Sequence, residues 1–311
     1  MQKIIVLCGP TAGGKTKLAI ALAEKFNGEI ISADSGQVWR ELDVGTAKPT
    51  PEDRRRIPHH LIDVVTPGEH FDVSHYCTLA DKAIADIARR GKMPFVVGGT
   101  GMYLRVLLYG LCKAPKQDLR LRKKLEERIK KGGSEKLYQE LKKIDPALAE
   151  KISPNDKTRV IRGLEVYELA GAPLSAFQEE HKLQKPRYDA LQIGLSFDRA
   201  AIRERIDKRV DWMIANGWGE EVRELLKFYS AASQAFKTIG YKQWAAHLRG
   251  ENSLEKTAGE IKKQTKAFAK RQMTWFKADK SILWVPGDDD QKNLVDFAAD
   301  SIHRFLGRAR A

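Results

Sequence analysis

The sequence predicts an α/β protein, a parallel sheet core carrying a helical insertion, and three observations predict it. Short β-branched apolar runs alternate with amphipathic helical patterns through the first hundred residues. Such alternation marks a parallel sheet whose strands are buried on both faces and joined by right-handed helical crossovers. The pattern then gives way to a charged helical stretch, after which a strand-like run returns. Finally, the first apolar run ends in a glycine-rich turn that opens directly into a helix.

The elements follow in order. Lys3–Cys8 (KIIVLC) is the first buried strand. Thr16–Phe26 places Leu18, Ala19, Leu22 and Phe26 on one helical face, with Asn27-Gly28 as its stop. Glu29–Ala33 is a second strand ending at Asp34. Asp81–Arg90 is an amphipathic helix, and Met93–Val97 a third strand ending at Gly98-Gly99. From Lys116 to Lys143 the chain reads as a charged helix pair broken at Gly132-Gly133, followed by a helix over Asp156–Ala170 that stops at Gly171. Tyr188–Phe197 is the returning strand. Helices then occupy Arg199–Asn216, Gly219–Tyr229 and Ser253–Lys277. The expected organisation is a core domain of residues 1–115 and 186–311, including the C-terminal helices, and a helical insertion domain of 116–185.

Composition narrows the function. A 311-residue chain with 42% hydrophobic residues is globular, which excludes disorder as its main state. With 55 Lys and Arg against 41 Asp and Glu, the net charge of +14 favours a polyanionic partner, nucleic acid before an anionic membrane surface. Cys8, Cys77 and Cys112 cannot all pair and lack metal-knuckle spacing, so buried thiols in a reducing compartment are expected. The apolar run at the start breaks at Gly9-Pro10, too short for a signal-peptide core or a membrane span. The expectation is a cytoplasmic protein.

Gly9-Pro10-Thr11-Ala12-Gly13-Gly14-Lys15-Thr16 fits G-x-x-x-x-G-K-[ST] between a strand and a helix, which makes the core P-loop NTPase-like. Its glycines let backbone N–H groups surround phosphate oxygens at a helix N-terminus already biased toward anions. Lys15 adds a mobile charge, and the Thr16 hydroxyl is a ligand for Mg²⁺. A nucleotide hydrolase or kinase is the default chemistry for this loop, and a nucleotide-switched nucleic-acid regulator is a further reading. The second strand delivers Asp34-Ser35-Gly36-Gln37, and the third Gly98-Gly99-Thr100-Gly101, to the sheet edge where open α/β folds bind ligands. Asp34 fits a metal ligand, a general base or the cap of its own turn. His59-His60 fits a metal or acid–base pair, or hydrogen-bonded structural residues.

These segments resemble the tRNA dimethylallyltransferases, nearly end to end. The family's GPTASGKT loop is GPTAGGKT here. Its D-S-x-Q and G-T-A-K-P segments match Asp34–Gln37 and Gly45–Pro49, PHHLID matches Pro58–Asp63, and GGTG-x-Y matches Gly98–Tyr103. In the insertion, D-x-x-L-R-x-x-L-E matches Asp118–Glu126, D-P-x-x-A matches Asp145–Ala149, and P-N-D-x-x-R-[VL]-x-R-[AG]-L-E-V matches Pro154–Val166. I-G-Y-[RK]-Q matches Ile239–Gln243, and A-K-R-Q-x-T-W-[FL]-[RK] matches Ala269–Lys277. Departures are few: Gly13 for Ser, Gly36 for Met, Trp39 for Tyr, and Lys242 and Lys266 where Arg is frequent.

The resemblance implies transfer of a dimethylallyl group from dimethylallyl diphosphate to N6 of the adenine immediately 3′ of a tRNA anticodon, with Mg²⁺ as cofactor, by a monomer without membrane attachment. It implies that Gly9, Pro10, Thr11, Ala12, Gly13, Gly14, Lys15 and Thr16 bind the diphosphate, with Thr16 as metal ligand. Asp34 is then the general base, and Thr11, Lys15 and Thr16 join it in catalysis. Asp34, Ser35, Gly36, Gln37 and Thr100 face the acceptor, Gln37 orienting the purine. Arg122, Thr158, Arg159, Val160, Ile161 and Arg162 of the insertion, with Gly240, Tyr241, Lys242, Lys270 and Arg271, are expected to meet the RNA. Lys262, Lys266 and Lys270 repeat every four residues and form a basic face for its backbone, while Ile261, Phe268 and Trp275 form the apolar face.

Overall fold

The structure, a computed structural model, describes residues 1–182, 185–288 and 290–307. Residues 308–311 of the expected core domain lie outside the described residues. Six strands, β1 (Lys3–Cys8), β2 (Gly28–Ser32), β3 (His59–His60), β4 (Met93–Gly98), β5 (Asp189–Ser196) and β6 (Leu283–Pro286), form one sheet. Their order is β3-β2-β4-β1-β5-β6, and every pairing is parallel. Ile4–Leu7 of β1 are 0–1% exposed, as a central strand covered on both faces requires. The chain leaves β1 toward one side of the sheet and returns as β5 on the other, so the loop after β1 lies at a topological switch point.

Helix α1 (Lys15–Lys25) presents Leu18, Ala19 and Leu22 to a core cluster with Ile5, Leu7, Phe95 and Ile193. Next come α2 (Pro51–Arg56), α3 (Val73–Arg89) and α4 (Gly101–Tyr109). Helix α3 begins two turns earlier than the periodicity indicated, because the Asp72 carboxylate caps Ser74 N–H and His75 N–H. Sequence patterning also misses β3 and β6, short edge strands of two and four residues whose polar or proline-bearing content carries no alternation.

Tyr109–Pro186 form a separate compact unit, beginning before the expected boundary at residue 116. It contains α5 (Leu119–Ile144), α6 (Pro146–Ala149), α7 (Lys157–Ala170) and α8 (Leu174–Lys182). Gly133 breaks α5, with φ 80° and ψ 162°. Leu125, Leu137, Leu141, Val160, Ile161 and Leu164 build the core of this unit.

At its centre Glu165, fully buried, accepts from Arg122 Nε (3.1 Å), Arg162 Nη1 (2.6 Å) and Asp118 N–H (2.9 Å). Arg162 also donates to Pro115 O at 2.6 Å. This corrects the expected RNA-facing roles of several residues. Arg122 and Arg162 neutralise a buried carboxylate, and the side chains of Val160 and Ile161 are core; Thr158 and Arg159 remain exposed. Removing one partner of a buried ion pair leaves uncompensated charge, so Glu165→Ala should cost about 3–5 kcal/mol. Urea titration checks this, and a loss below about 1 kcal/mol would show that the arginines find water instead.

The chain then forms α9 (Arg199–Ala215), α10 (Trp218–Phe228), a 3₁₀ turn at Ala235–Lys237, α11 (Tyr241–Leu248), α12 (Leu254–Lys277) and α13 (Gln291–Leu306). Helix α12 packs on α9. No described helix is long and apolar enough to cross a membrane.

Candidate active site

The loop between β1 and α1 takes the shape its glycines allow. Gly14 caps α1 from the left-handed region at φ 77°, and a Cβ on Gly9 (φ 143°) would lie 3.0 Å from Leu195 O. Gly13 has a local reason: a Cβ there would lie 2.9 Å from the Phe197 ring. The serine expected at this position would have to displace that ring. Lys15 Nζ folds over the loop, donating to Pro10 O at 2.7 Å and Gly9 O at 3.1 Å. Burial pushes its ammonium down to about 8, against the opposing pull of Asp34 and with help from the positive charge of Arg209. Cys8, buried just before the loop, is pushed up to about 12 by desolvation and stays a neutral thiol. Cys77 is buried too, whereas Cys112 is only half-buried.

A cleft of about 520 Å³ opens beside the loop, lined by Thr11, Ala12, Asp34, Ser35 and Gly36 on the sheet side. Arg209, Lys237 and Arg271 bring positive charge to the same walls. Asp34 Oδ1 accepts from Gly36 N–H at 2.8 Å, so this carboxylate does cap its own turn while its side chain lines the cleft. Thr100 lies one step further round the edge, its Oγ1 accepting from Ser35 N–H at 3.0 Å. Gln37 is corrected here. Its carboxamide accepts from Ser32 Oγ (2.9 Å) and donates to Thr46 O (3.3 Å) and Ala47 O (3.2 Å), so it shapes the 45–47 loop and does not line the cleft.

Sequence reasoning missed Arg209. It sits on α9 with Ile206, Val210 and Met213, all buried, and is half-buried itself. Among the described residues its guanidinium donates to no carboxylate or carbonyl. Burial lowers its pKa while Asp34 opposes the shift. A lone arginine on an apolar helical stripe was the available signal.

The C-terminal helices divide the expected RNA contacts. Lys262 pairs with Asp211 and Lys266 with Asp207, each at 2.6 Å, which ties α12 to α9 and removes two lysines from the expected basic face. Lys270, Arg271 and Lys242 are exposed. Tyr241 is fully buried and its hydroxyl donates to Glu221 at 2.6 Å, while Gly240 (φ 95°) is packed against the Trp218 ring, so neither side of that dipeptide presents a side chain to RNA. His59 Nδ1 meets Ile57 O at 2.7 Å and His60 Nε2 meets Glu29 at 2.8 Å, the hydrogen-bonded reading of that pair.

For a divalent cation the donor chemistry fits. The Thr16 hydroxyl, half-buried in the first turn of α1, makes no hydrogen bond among the described residues, and hydroxyl and carboxylate oxygens are the donors Mg²⁺ takes.

Fold and site define the class: an α/β protein with a glycine-rich strand-to-helix loop and, beside it, a cleft lined by Arg209, Lys237 and Arg271 at the carboxyl edge of a parallel sheet. The comparisons with known proteins agree in detail. A family model described as IPP transferase matches residues 37–279, and one described as isopentenyl transferase matches residues 2–62. A tRNA dimethylallyltransferase of Geobacter metallireducens is 47% identical over 93% of this chain and 94% of its own length. The crystal structure of a tRNA isopentenylpyrophosphate transferase from Staphylococcus epidermidis superposes with a TM-score of 0.73 at 36% identity, covering 98% of this chain and 100% of that one. A eukaryotic dimethylallyltransferase acting on tRNA superposes with a TM-score of 0.80 at 30% identity, over 99% of this chain and 81% of that chain. The chain belongs to the IPP transferase family.

Proposed function

We propose that this protein, as a monomer, transfers the dimethylallyl group of dimethylallyl diphosphate to N6 of the adenine immediately 3′ of the tRNA anticodon, releasing diphosphate. The observation that carries this reading is a pair of half-buried cations, Lys15 and Arg209, flanking the glycine loop with no carboxylate bound to either among the described residues. Desolvated positive charge of that kind is stabilised by a polyanion, and a leaving diphosphate gains negative charge as its bond breaks.

The allylic C–O bond breaks as the N6–C bond forms. Backbone N–H groups of Gly14, Lys15 and Thr16, the Lys15 ammonium and the Arg209 guanidinium hold the oxygens on which charge develops, while Gly13 N–H closes the loop onto Pro10 O at 3.2 Å. Thr16 would hold Mg²⁺, which when bound neutralises diphosphate charge. The adenine amine is a weak nucleophile because its lone pair is delocalised, so Asp34 takes its proton as the new bond forms. An adenine beside the anticodon is splayed from its loop at less cost than a base inside a duplex. The cleft beside Thr11 and Asp34 has the volume to receive it.

Radiolabelled dimethylallyl diphosphate with unmodified tRNA, run in parallel with ATP alone, tests the reading. Label should enter the RNA. Phosphate release from ATP with no label in RNA would instead make the protein a P-loop hydrolase.

The exposed cations also specify how RNA binding responds to salt. Each phosphate contact contributes a slope of about −0.7 for single-stranded RNA. Lys270→Ala and Arg271→Ala together should flatten the slope, whereas Lys262→Ala and Lys266→Ala should change it little, because those lysines are neutralised by Asp211 and Asp207. Filter binding across a salt series measures both. Equal flattening by the two pairs would show that RNA displaces the aspartates.

A further inference from the structure

The motif Ala269–Lys277 is basic, yet its central glutamine points inward. Gln272 is 6% exposed. Its Oε1 accepts from Thr11 N–H at 2.8 Å and its Nε2 donates to Gly99 O at 2.8 Å. One partner is a donor and the other an acceptor, so only one orientation of the carboxamide satisfies both. Gly99 must lack a side chain for this approach, since a Cβ would overlap the Gln272 amide nitrogen. Three residues along, just under one turn, Trp275 covers Gly101 in the same manner. Helix α12 thus seats two side chains against the loop after β4.

From Gly99 the connection continues. Thr100 N–H donates to Ala33 O at 3.1 Å, and Thr100 Oγ1 accepts from Ser35 N–H at 3.0 Å. The loops after β1, β4 and β2 are therefore joined in series: Thr11, Gln272, Gly99-Thr100, then Ser35 beside Asp34. In the transfer reading, Thr11 borders the diphosphate and Asp34 the accepting amine. We infer that Gln272 is a positioning residue that sets the separation between the diphosphate side and the acceptor side of the reaction. The inference rests on that reading. The physical reason is geometric: bond formation requires the reacting atoms about 3–3.5 Å apart, and a displacement of about 1 Å costs on the order of 10² in rate. Neither substrate need touch Gln272 for this to act, so the effect falls on turnover and not on affinity.

Gln272→Met keeps length and apolar volume but makes neither hydrogen bond. Well below its melting temperature, it should lose about 10²-fold in kcat with KM for both substrates within about threefold of wild type. In hydrogen exchange, segments 9–16 and 98–104 should exchange at least about tenfold faster while β1 and β4 keep their protection. A kcat within about twofold of wild type overturns the inference, whatever happens to the melting temperature, because a purely structural glutamine would leave the folded enzyme competent. Unchanged exchange in both loops also overturns it. Should the wild-type protein transfer no label, the transfer reading falls, and the exchange measurement alone decides whether Gln272 holds the loops. Gly99→Ala supplies a second check: its methyl overlaps the carboxamide in the wild-type background but has room in Gln272→Ala. The added loss from Gly99→Ala should shrink at least about tenfold in that background, and equal losses in both count against the bridge.

Discussion

Replacing Asp34 with asparagine should lower the single-turnover rate of prenyl transfer about 10²–10⁴-fold, roughly 3–5 kcal/mol of barrier, with little change in affinity for tRNA or dimethylallyl diphosphate. The substitution is conservative in structure. An asparagine oxygen can still accept the Gly36 N–H that Asp34 Oδ1 holds at 2.8 Å, and asparagine is as much at home in such turns as aspartate. What disappears is the carboxylate and its negative charge, which Lys15 and Arg209 both feel. The rival role, a carboxylate acting on Mg²⁺ through its coordinated water, makes a different forecast. It gives weakened diphosphate binding and a raised Mg²⁺ requirement. Single-turnover rates over a Mg²⁺ titration separate the two, and recovery to near wild-type speed at high Mg²⁺ would end the general-base assignment.

Lys15→Ala should reduce turnover about 10²–10³-fold, the scale of losing one preorganised donor to developing negative charge, while filter binding of tRNA stays within a few-fold. Thr16→Ala should act in the same direction and raise the Mg²⁺ needed. The titration of Lys15 adds a pH signature. Burial holds its free-state pKa at about 8, and a bound diphosphate raises it. The ammonium is fully present below that value, so diphosphate binding takes up a proton above it, and affinity should fall as pH rises through about 8. Calorimetry in buffers of different ionisation enthalpy counts that proton. Lys15→Ala should abolish its uptake, and an unchanged count would place the titrating group elsewhere.

Legibility in the sequence differs by residue for physical reasons. The glycine loop and the ends of β2 and β4 were readable because their chemistry is local: a tight turn needs glycine, and the residues that line it are adjacent in the chain. Arg209 was not, because its meaning depends on a cleft wall assembled from the loops after β1 and β2. Gln37 looked like a residue for the purine because it ends a motif at the correct edge, but its carboxamide is consumed by the backbone of the 45–47 loop.

By itself the sequence determined the α/β alternation, the glycine-rich loop at Gly9–Thr16, the helical insertion and the resemblance to a tRNA-modifying family. Tertiary structure decided which charges are available. Helical spacing shows that Lys262, Lys266 and Lys270 share a face, yet it is blind to Asp207 and Asp211 on α9, which neutralise the first two. It likewise places Arg159 and Arg162 together, while Glu165 claims Arg162 and Arg122 and leaves Arg159 exposed. A side chain's charge is written in the sequence. Whether that charge meets solvent or a carboxylate depends on elements brought together from distant parts of the chain, and only where the carboxylate is buried, as Glu165 is, does breaking the partnership cost several kcal/mol.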